Sequence, residues 1–193
     1  MRKLAQQLGV DPMSLYNHVA NKDDLLGGMV DLVVDEIDLT EWNGPDWKVA
    51  LRMRILAARR TMLRHPWARQ VLERRTESSP TVTRYYEGVA SIFRAGGVSL
   101  DLMHHALHTL GSRLLGFSQE LFDDTTVFDQ GPEVVALMAH QMAGEFPNLS
   151  EMMLKMSHDE TTVIGSGCDD QFEFEFALDL ILDGIERHHD ANP

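Results

Sequence analysis

The chain is expected to be all-α, with a helix-turn-helix module at its N-terminus and a helical-bundle domain behind it. Three observations predict this. Apolar residues recur at helical spacing in one segment after another. Helix-starting and helix-stopping residues separate those segments. The one segment that alternates like a strand, Phe172-Glu173-Phe174-Glu175-Phe176, has no second strand candidate to pair with, and a lone strand is not stable.

Met1–Leu8 carries Leu4, Ala5 and Leu8 at helical spacing, and Gly9 stops it. Asp11 caps a second helix, with Pro12 in its first turn, expected to reach about Val19. Asn21-Lys22-Asp23 starts a third, to about Ile37, with Leu25, Leu26, Met29, Val30, Val33 and Ile37 on one side. Thr40–Trp47 (TEWNGPDW) reads as a linker whose Asp46 caps the Arg-rich helix Trp47–Arg64. His65-Pro66 ends that helix, because a residue before proline disfavours the α conformation.

A short helix is expected over Trp67–Thr76, and Ser79-Pro80 opens another that ends at Gly96-Gly97. Ser99 caps a long helix to about Phe122. Gly131-Pro132 opens a helix over Glu133–Phe146 that Pro147 stops, and Ser150–His158 is shorter. Thr161–Cys168 reads as a loop. Asp169 or Asp170 then caps the last helix, to about His188, whose apolar set Ala177, Leu178, Leu180, Ile181, Leu182 and Ile185 settles the Phe-Glu alternation as helix.

Composition bounds the function. The chain has 193 residues, 44% of them hydrophobic, enough for a real core. No apolar run reaches membrane-span length, and MRKLAQQLGV has no signal-peptide core, so a cytoplasmic protein with no membrane partner is expected. The single cysteine, Cys168, makes no internal disulfide and no thiolate metal cage.

The net charge of -13 opposes a DNA partner on its face, but its distribution is uneven. Residues 1–22 hold three basic side chains and one acid, and 48–75 hold nine and one. From Glu120 onward there are seventeen acids and two bases. That pattern fits DNA contact at the tip only.

The informative stretch is RKLAQQLGVDPMSLYNHVANKDDLL. Two short helices meet at a tight turn, Gly9-Val10-Asp11, and Leu4, Ala5, Leu8, Val10, Leu15 and Val19 are expected to form their shared core. In such a unit the second helix lies in a major groove. Its outward residues are Pro12, Met13, Ser14, Asn17 and His18, and Lys22 opens the next helix near a phosphate.

Leu4-Ala5, Leu8-Gly9-Val10, Leu15-Tyr16-Asn17-His18-Val19, Asn21-Lys22 and Leu25-Leu26 closely resemble the signature of the tetracycline-repressor family of transcriptional regulators. By that resemblance Arg2, Pro12, Met13 and Asn17 face bases, while Ser14, Tyr16, His18 and Lys22 contact the backbone. The resemblance also implies a further helix ahead of Met1, so a helix-turn-helix domain over 1–40 lacking its first helix, with weakened DNA binding, is expected. An effector-binding and dimerising domain is expected over 46–193. The weaker resemblance there rests on Trp47, Leu63-x-His65, Gly97-Val98-Ser99, Phe146-Pro147, Phe176-x-Leu178 and Gly184-Ile185-Glu186.

That family dimerises through helices corresponding to 99–122 and 169–188. The final helix is apolar over more than half its circumference, which fits a second buried face. The effector pocket is expected within Leu51–Phe122, among Leu56, Met62, Trp67, Tyr85, Tyr86, Val89, Ile92, Phe93, His104, His108 and Phe117. Trp67, Tyr86, Val89, Phe93, His104, His108 and Phe117 are the chosen effector-binding set.

His104, His105 and His108 raise a metal reading, but no HExxH pattern or nearby cysteine supports it. Pocket or dimer-seam polar groups are the alternative, and no cofactor is expected. Positions at which the resemblance implies tetracycline-holding residues are Asp38, Arg54 and Leu72, with Glu120 the one retained acid, so tetracycline recognition does not carry over. The arginines 52, 54, 59, 60 and 64 form either a solvated face or an anion receiver.

No Gly-rich phosphate loop, GxSxG or paired cysteines suggest catalysis, and a non-enzyme is expected. The function expected is therefore a ligand-responsive repressor, binding a palindromic double-stranded DNA operator as a homodimer and released by an unknown small molecule. The alternative is a dimeric helical ligand-binding protein that has lost DNA binding.

Overall fold

The computed structural model describes residues 1–37, 46–75, 77–115, 131–158 and 170–192. Among these, every regular element is a helix. In chain order they are α1 (Arg2–Leu8), α2 (Pro12–Tyr16), α3 (Lys22–Asp35), α4 (Trp47–Arg64), α5 (Pro66–Arg74), α6 (Pro80–Ala95), α7 (Leu100–Leu115), α8 (Pro132–Met142), α9 (Pro147–His158) and α10 (Asp170–Ala191). The chain divides into two compact units. One comprises residues 1–116 with 182–193, the other residues 117–181.

Side-chain caps start most of the helices of the first unit. Asp11 accepts from the Met13 N–H, Asn21 from Asp24, and Asp46 from Lys48 and Val49. Ser79 accepts from Val82 and Ser99 from Leu102, so each cap satisfies an amide that the helix itself leaves unpaired.

Two helices end in the same left-handed glycine turn. At Gly9 (φ 68°) the Val10 N–H returns to Ala5 O and the Gly9 N–H to Gln6 O. At Gly97 (φ 76°) the Val98 N–H returns to Phe93 O and the Gly97 N–H to Arg94 O. A side chain at either position would strain the backbone.

Three helix limits differ from expectation. The second helix ends at Tyr16, not Val19, because Asn17 and His18 tighten to bonds with Ser14 and Leu15 before the chain extends into Asn21. The helix opened by Pro132 ends at Met142, not Phe146; turn bonds from Glu145 and Phe146 to Met142 O cross the Ala143-Gly144 corner. Pro147 is therefore not a stop. It opens α9, where a missing N–H costs nothing. The short helix starts at Pro66 and ends at Arg74, and the last helix continues past His188 to Ala191. The Thr161–Cys168 loop, most of the linker and the far end of the Ser99 helix lie outside the described residues.

The core of the first unit is built from one stripe of each helix. α3 contributes Val30, Val33 and Val34, with Ile37 just beyond its end. α4 contributes Leu51, Ile55 and Ala58; α6 contributes Tyr85, Val89 and Phe93, each one turn from the next. Burying such side chains stabilises the fold by ~1.5–3 kcal/mol apiece. The Trp47 ring meets Phe93 at 5.7 Å between centroids and takes His189 edge-on at 6.3 Å. Lys48 donates to Asp183 at 2.5 Å and to Glu186 at 2.6 Å, which ties the first turn of α4 to the C-terminal part of α10.

In the second unit α8 and α9 pack side by side, with Val135 and Ala139 buried and the Ser150 hydroxyl donating to Ala139 O at 2.8 Å. Phe172 and Phe176, one turn apart on α10, stack at 6.3 Å, so the Phe-Glu alternation is helical as expected.

Phe93→Ala should destabilise the protein by ~3–5 kcal/mol, because it removes a fully buried ring and leaves a cavity. Leu32→Ala, on the solvent side of α3, should stay within about 0.5 kcal/mol. Denaturant unfolding of both variants checks the contrast.

Candidate functional site

The segment with the strongest sequence signal folds as two short helices crossing at Ala5, which is wholly buried. The expected shared core is smaller than the sequence suggested. Leu4, Leu15 and Val19 are half-buried, but Leu8 is 59% exposed and Val10 43%. Helices of seven and five residues have too little facing surface to cover six apolar side chains.

The proposed DNA-facing residues lie on the outer side of this unit. Arg2, Met13 (68% exposed), Tyr16, Asn17, His18 and Lys22 are exposed, whereas Pro12 and Ser14 are half-buried. Ala20 and Asp24 fasten the joint into α3, with the Asp24 carboxylate accepting from the Ala20 N–H at 2.8 Å.

α3 connects this surface to the rest of the first unit through two polar links. Asp31 Oδ1 accepts from Arg75 Nη1 at 3.0 Å and from the Ser79 hydroxyl at 2.6 Å, partly buried in each case. At the C-terminal end of α3, Glu36 accepts from His65 Nε2 at 2.8 Å and lies 3.6 Å from Arg64. The His65 hydrogen bond is the main cause holding the Glu36 carboxyl below its ordinary 4.5, with Arg64 adding to it. Neither link stood out in the sequence, since their partners are 29 to 48 residues apart.

Two clefts lie in the first unit. One, of roughly 900 Å³, runs between α3 and α5 and is lined by Leu26, Met29, Trp67, Val71, Arg74 and Glu77, among others. The second, of roughly 470 Å³, is lined by Tyr86, His104, Leu107, His108, Gly111 and Ser112. The effector-binding set is therefore not brought together. Trp67 lines the first cleft; Tyr86, His104 and His108 line the second.

Val89 and Phe93 lie in the core and line neither cleft, because they share the inward stripe of α6 while Tyr86 sits on the neighbouring stripe facing α7. Phe117 lies outside the described residues. The ring of His104 meets those of His108 at 4.7 Å and His105 at 5.3 Å. Among the described residues no group of three metal-ligating side chains converges.

A family model for the tetracyclin repressor-like C-terminal domain matches residues 41–189. The chain belongs to the tetracycline-repressor family. An HTH-type transcriptional regulator of Saccharopolyspora erythraea is 36% identical over 97 residues, half of this chain and 41% of that protein. The chain thus matches less than half the length of that relative. The HTH-type transcriptional repressor DrrR1 of Streptomyces coeruleorubidus is 28% identical over 96% of this chain and 69% of its own length.

Among solved structures, apo ActR of Streptomyces coelicolor superposes with a TM-score of 0.72 at 25% identity, covering 96% of this chain and 85% of ActR. Crystal structures of ActR also exist in complex with (S)-DNPA and with actinorhodin. Family membership accounts for the all-helical fold and for the helix-turn-helix at its start. No helix among the described residues is long and apolar enough to cross a membrane.

Two variants test the links through α3. Asp31→Ala strands the Arg75 and Ser79 donors and should cost about 1–3 kcal/mol in unfolding free energy. Glu36 is lowered in the folded state, so its pairing stabilises above the unfolded carboxylate range and is lost as pH falls through the lowered value. Glu36→Gln should therefore melt below wild type near neutral pH, and the two curves should converge under about pH 4.

Proposed function

We propose that this chain is a ligand-responsive transcriptional repressor that reads a palindromic double-stranded DNA operator as a homodimer and leaves it when a small molecule binds its body. The observation that carries this reading is the exposed outer face of α2, with Met13, Tyr16, Asn17 and His18 free and Lys22 beside them. It stands on a helix, α3, that is bonded into the body through Asp31 and Glu36. Recognition helices spaced by one DNA turn, about 34 Å, read a two-fold operator. A shift of α3 in each copy changes that spacing.

In this reading residues 1–40 bind DNA, with Arg2, Pro12, Met13 and Asn17 at bases and Ser14, Tyr16, His18 and Lys22 at the backbone. Residues 46–193 bind the effector and the second copy. The protein acts in the cytoplasm, without enzymatic turnover or a cofactor. Tyr86, His104 and His108 hold the effector from the α6–α7 side; Trp67, Val89, Phe93 and Phe117 complete the expected set. The ligand complexes of ActR support an effector role for the body.

The homodimer rests on an apolar stripe along α10, where Phe172 is half-buried, Phe176 is 38% exposed and Leu180 55% exposed, one turn apart. A stripe of this kind beside the buried one of Phe174 and Leu178 fits a partner helix. The exposure of Leu8 and Val10 favours the second reading, a dimeric ligand-binding protein whose DNA module is too loosely held to bind.

A gel-shift series on the promoter region beside its own gene separates the two. Under the repressor reading the region shifts. Asn17→Ala weakens binding by ~1–3 kcal/mol and relaxes preference at one base position. Lys22→Ala weakens all sequences alike and lowers the salt slope by about 1. Absence of any shift, with a dimer still present in sedimentation, selects the second reading. A monomer at high concentration rejects both.

A further inference from the structure

The arginine run on α4 divides once it is folded. Arg64 turns to Glu36 and Arg60 is exposed, but Arg54 turns inward across α6. Its guanidinium lies over the Tyr85 ring, 5.2 Å from the centroid, and against the backbone of Gly88. A β-carbon at Gly88 would overlap Arg54 Nη2, so the missing side chain is what makes room for the cation.

Two donors are left over at this place. Arg54 Nε and the Tyr85 hydroxyl are both buried and have no hydrogen-bond partner among the described residues. Arg54 makes no ion pair with any described carboxylate either. Tyr85 is 9% exposed, and burial is the main cause pushing its phenol above the ordinary range, so it stays a donor at neutral pH. A guanidinium stays charged at any such pH. Buried polar groups are nearly always paired, and a buried cation without a counter-charge is costly. The ring face of Tyr85 offsets part of that cost but supplies no acceptor.

We propose that Arg54 and Tyr85 form an anion-recognition element for the acidic oxygen of the effector, a carboxylate or phenolate on an apolar, ring-bearing molecule. The apolar part has its place next door. The Tyr85 ring meets Tyr86 edge-on at 6.0 Å, and Tyr86 lines the α6–α7 cleft with Leu107 and Gly111. Two convergent donors with a fixed positive charge select an acceptor that is itself charged, which a neutral amide or ester of the same shape is not. This inference rests on the effector-binding role of the body and deepens it.

The test is calorimetric titration of the full chain with one- to four-ring aromatic carboxylates and phenols, each beside its neutral amide or methyl ether. At least one acid should bind wild type about tenfold or more tighter than its neutral counterpart. Arg54→Met should erase that preference and leave affinity for the neutral compound within about threefold. Tyr85→Phe, which removes one donor, should weaken the acid by roughly three- to tenfold. Gly88→Ala, which displaces the guanidinium, should act as Arg54→Met does.

Without ligand, Arg54→Met should melt at or above the wild-type temperature, since it removes a buried unpaired charge. No preference for any acid, a preference that survives Arg54→Met, or a large loss of unliganded stability in that variant overturns the proposal. The last result would make Arg54 a packing residue. Gel shifts on the same preparations keep the two readings apart: lost operator binding with acid preference intact rejects only the repressor, and the reverse rejects only the anion element.

Discussion

The organisation of the first unit depends on one carboxylate. Asp31 sits midway along α3 and accepts from Arg75, just beyond α5, and from Ser79, the cap of α6. Ser79 also accepts from the Val82 amide, so the same hydroxyl starts α6 and orients α3. Valines on the inner face of α3 supply most of the burial energy, but apolar packing alone tolerates small slides and rotations. Hydrogen bonds at 2.6 and 3.0 Å do not. Because α2 leads directly into α3, the azimuth of the exposed helix is set by where Asp31 finds its donors.

The polar links along α3 differ in weight. Glu36 is nearly half exposed, so its bonds to His65 and Arg64 are screened and weak in stability terms. Asp31 and Arg75 are about three-quarters buried at the side chain, where losing one partner leaves the other unsatisfied. A body that responds to a ligand needs this mixture. The stronger link keeps α3 attached while the weaker one, at the end of α3, is cheap to rearrange. Movement of α6 would be felt at once by Ser79 and Asp31.

How much was legible varied with the range of the interaction. Caps were read correctly at Asp11, Asp46, Ser79 and Ser99, and stops at Gly9 and Gly97, because each acts within a few residues of its own position. The Pro147 error has the same root. A proline forbids a helix behind it and suits a helix ahead of it, and only the turn bonds to Met142 decide which role dominates. The scatter of the effector set has another cause. Tyr85, Tyr86, Val89 and Phe93 are all apolar and close in sequence, but a rotation of about 100° per residue sends Tyr86 to a different neighbour from the rest. The unpaired state of Arg54 had no sequence signal, since it is a statement about which acids are absent nearby.

The sequence by itself determined the helical class, most helix starts, the family and the residues on the outer face of α2. These follow from periodicity, capping and a local signature, all of which are short-range properties of the chain. Tertiary structure alone decided that Asp31 meets Arg75 and Ser79, that Leu8 and Val10 stay exposed, and that one arginine of five turns inward over Tyr85. Those outcomes depend on which helices share a boundary and how much of each stripe is covered. Such contacts join residues tens of positions apart, and no local pattern encodes them.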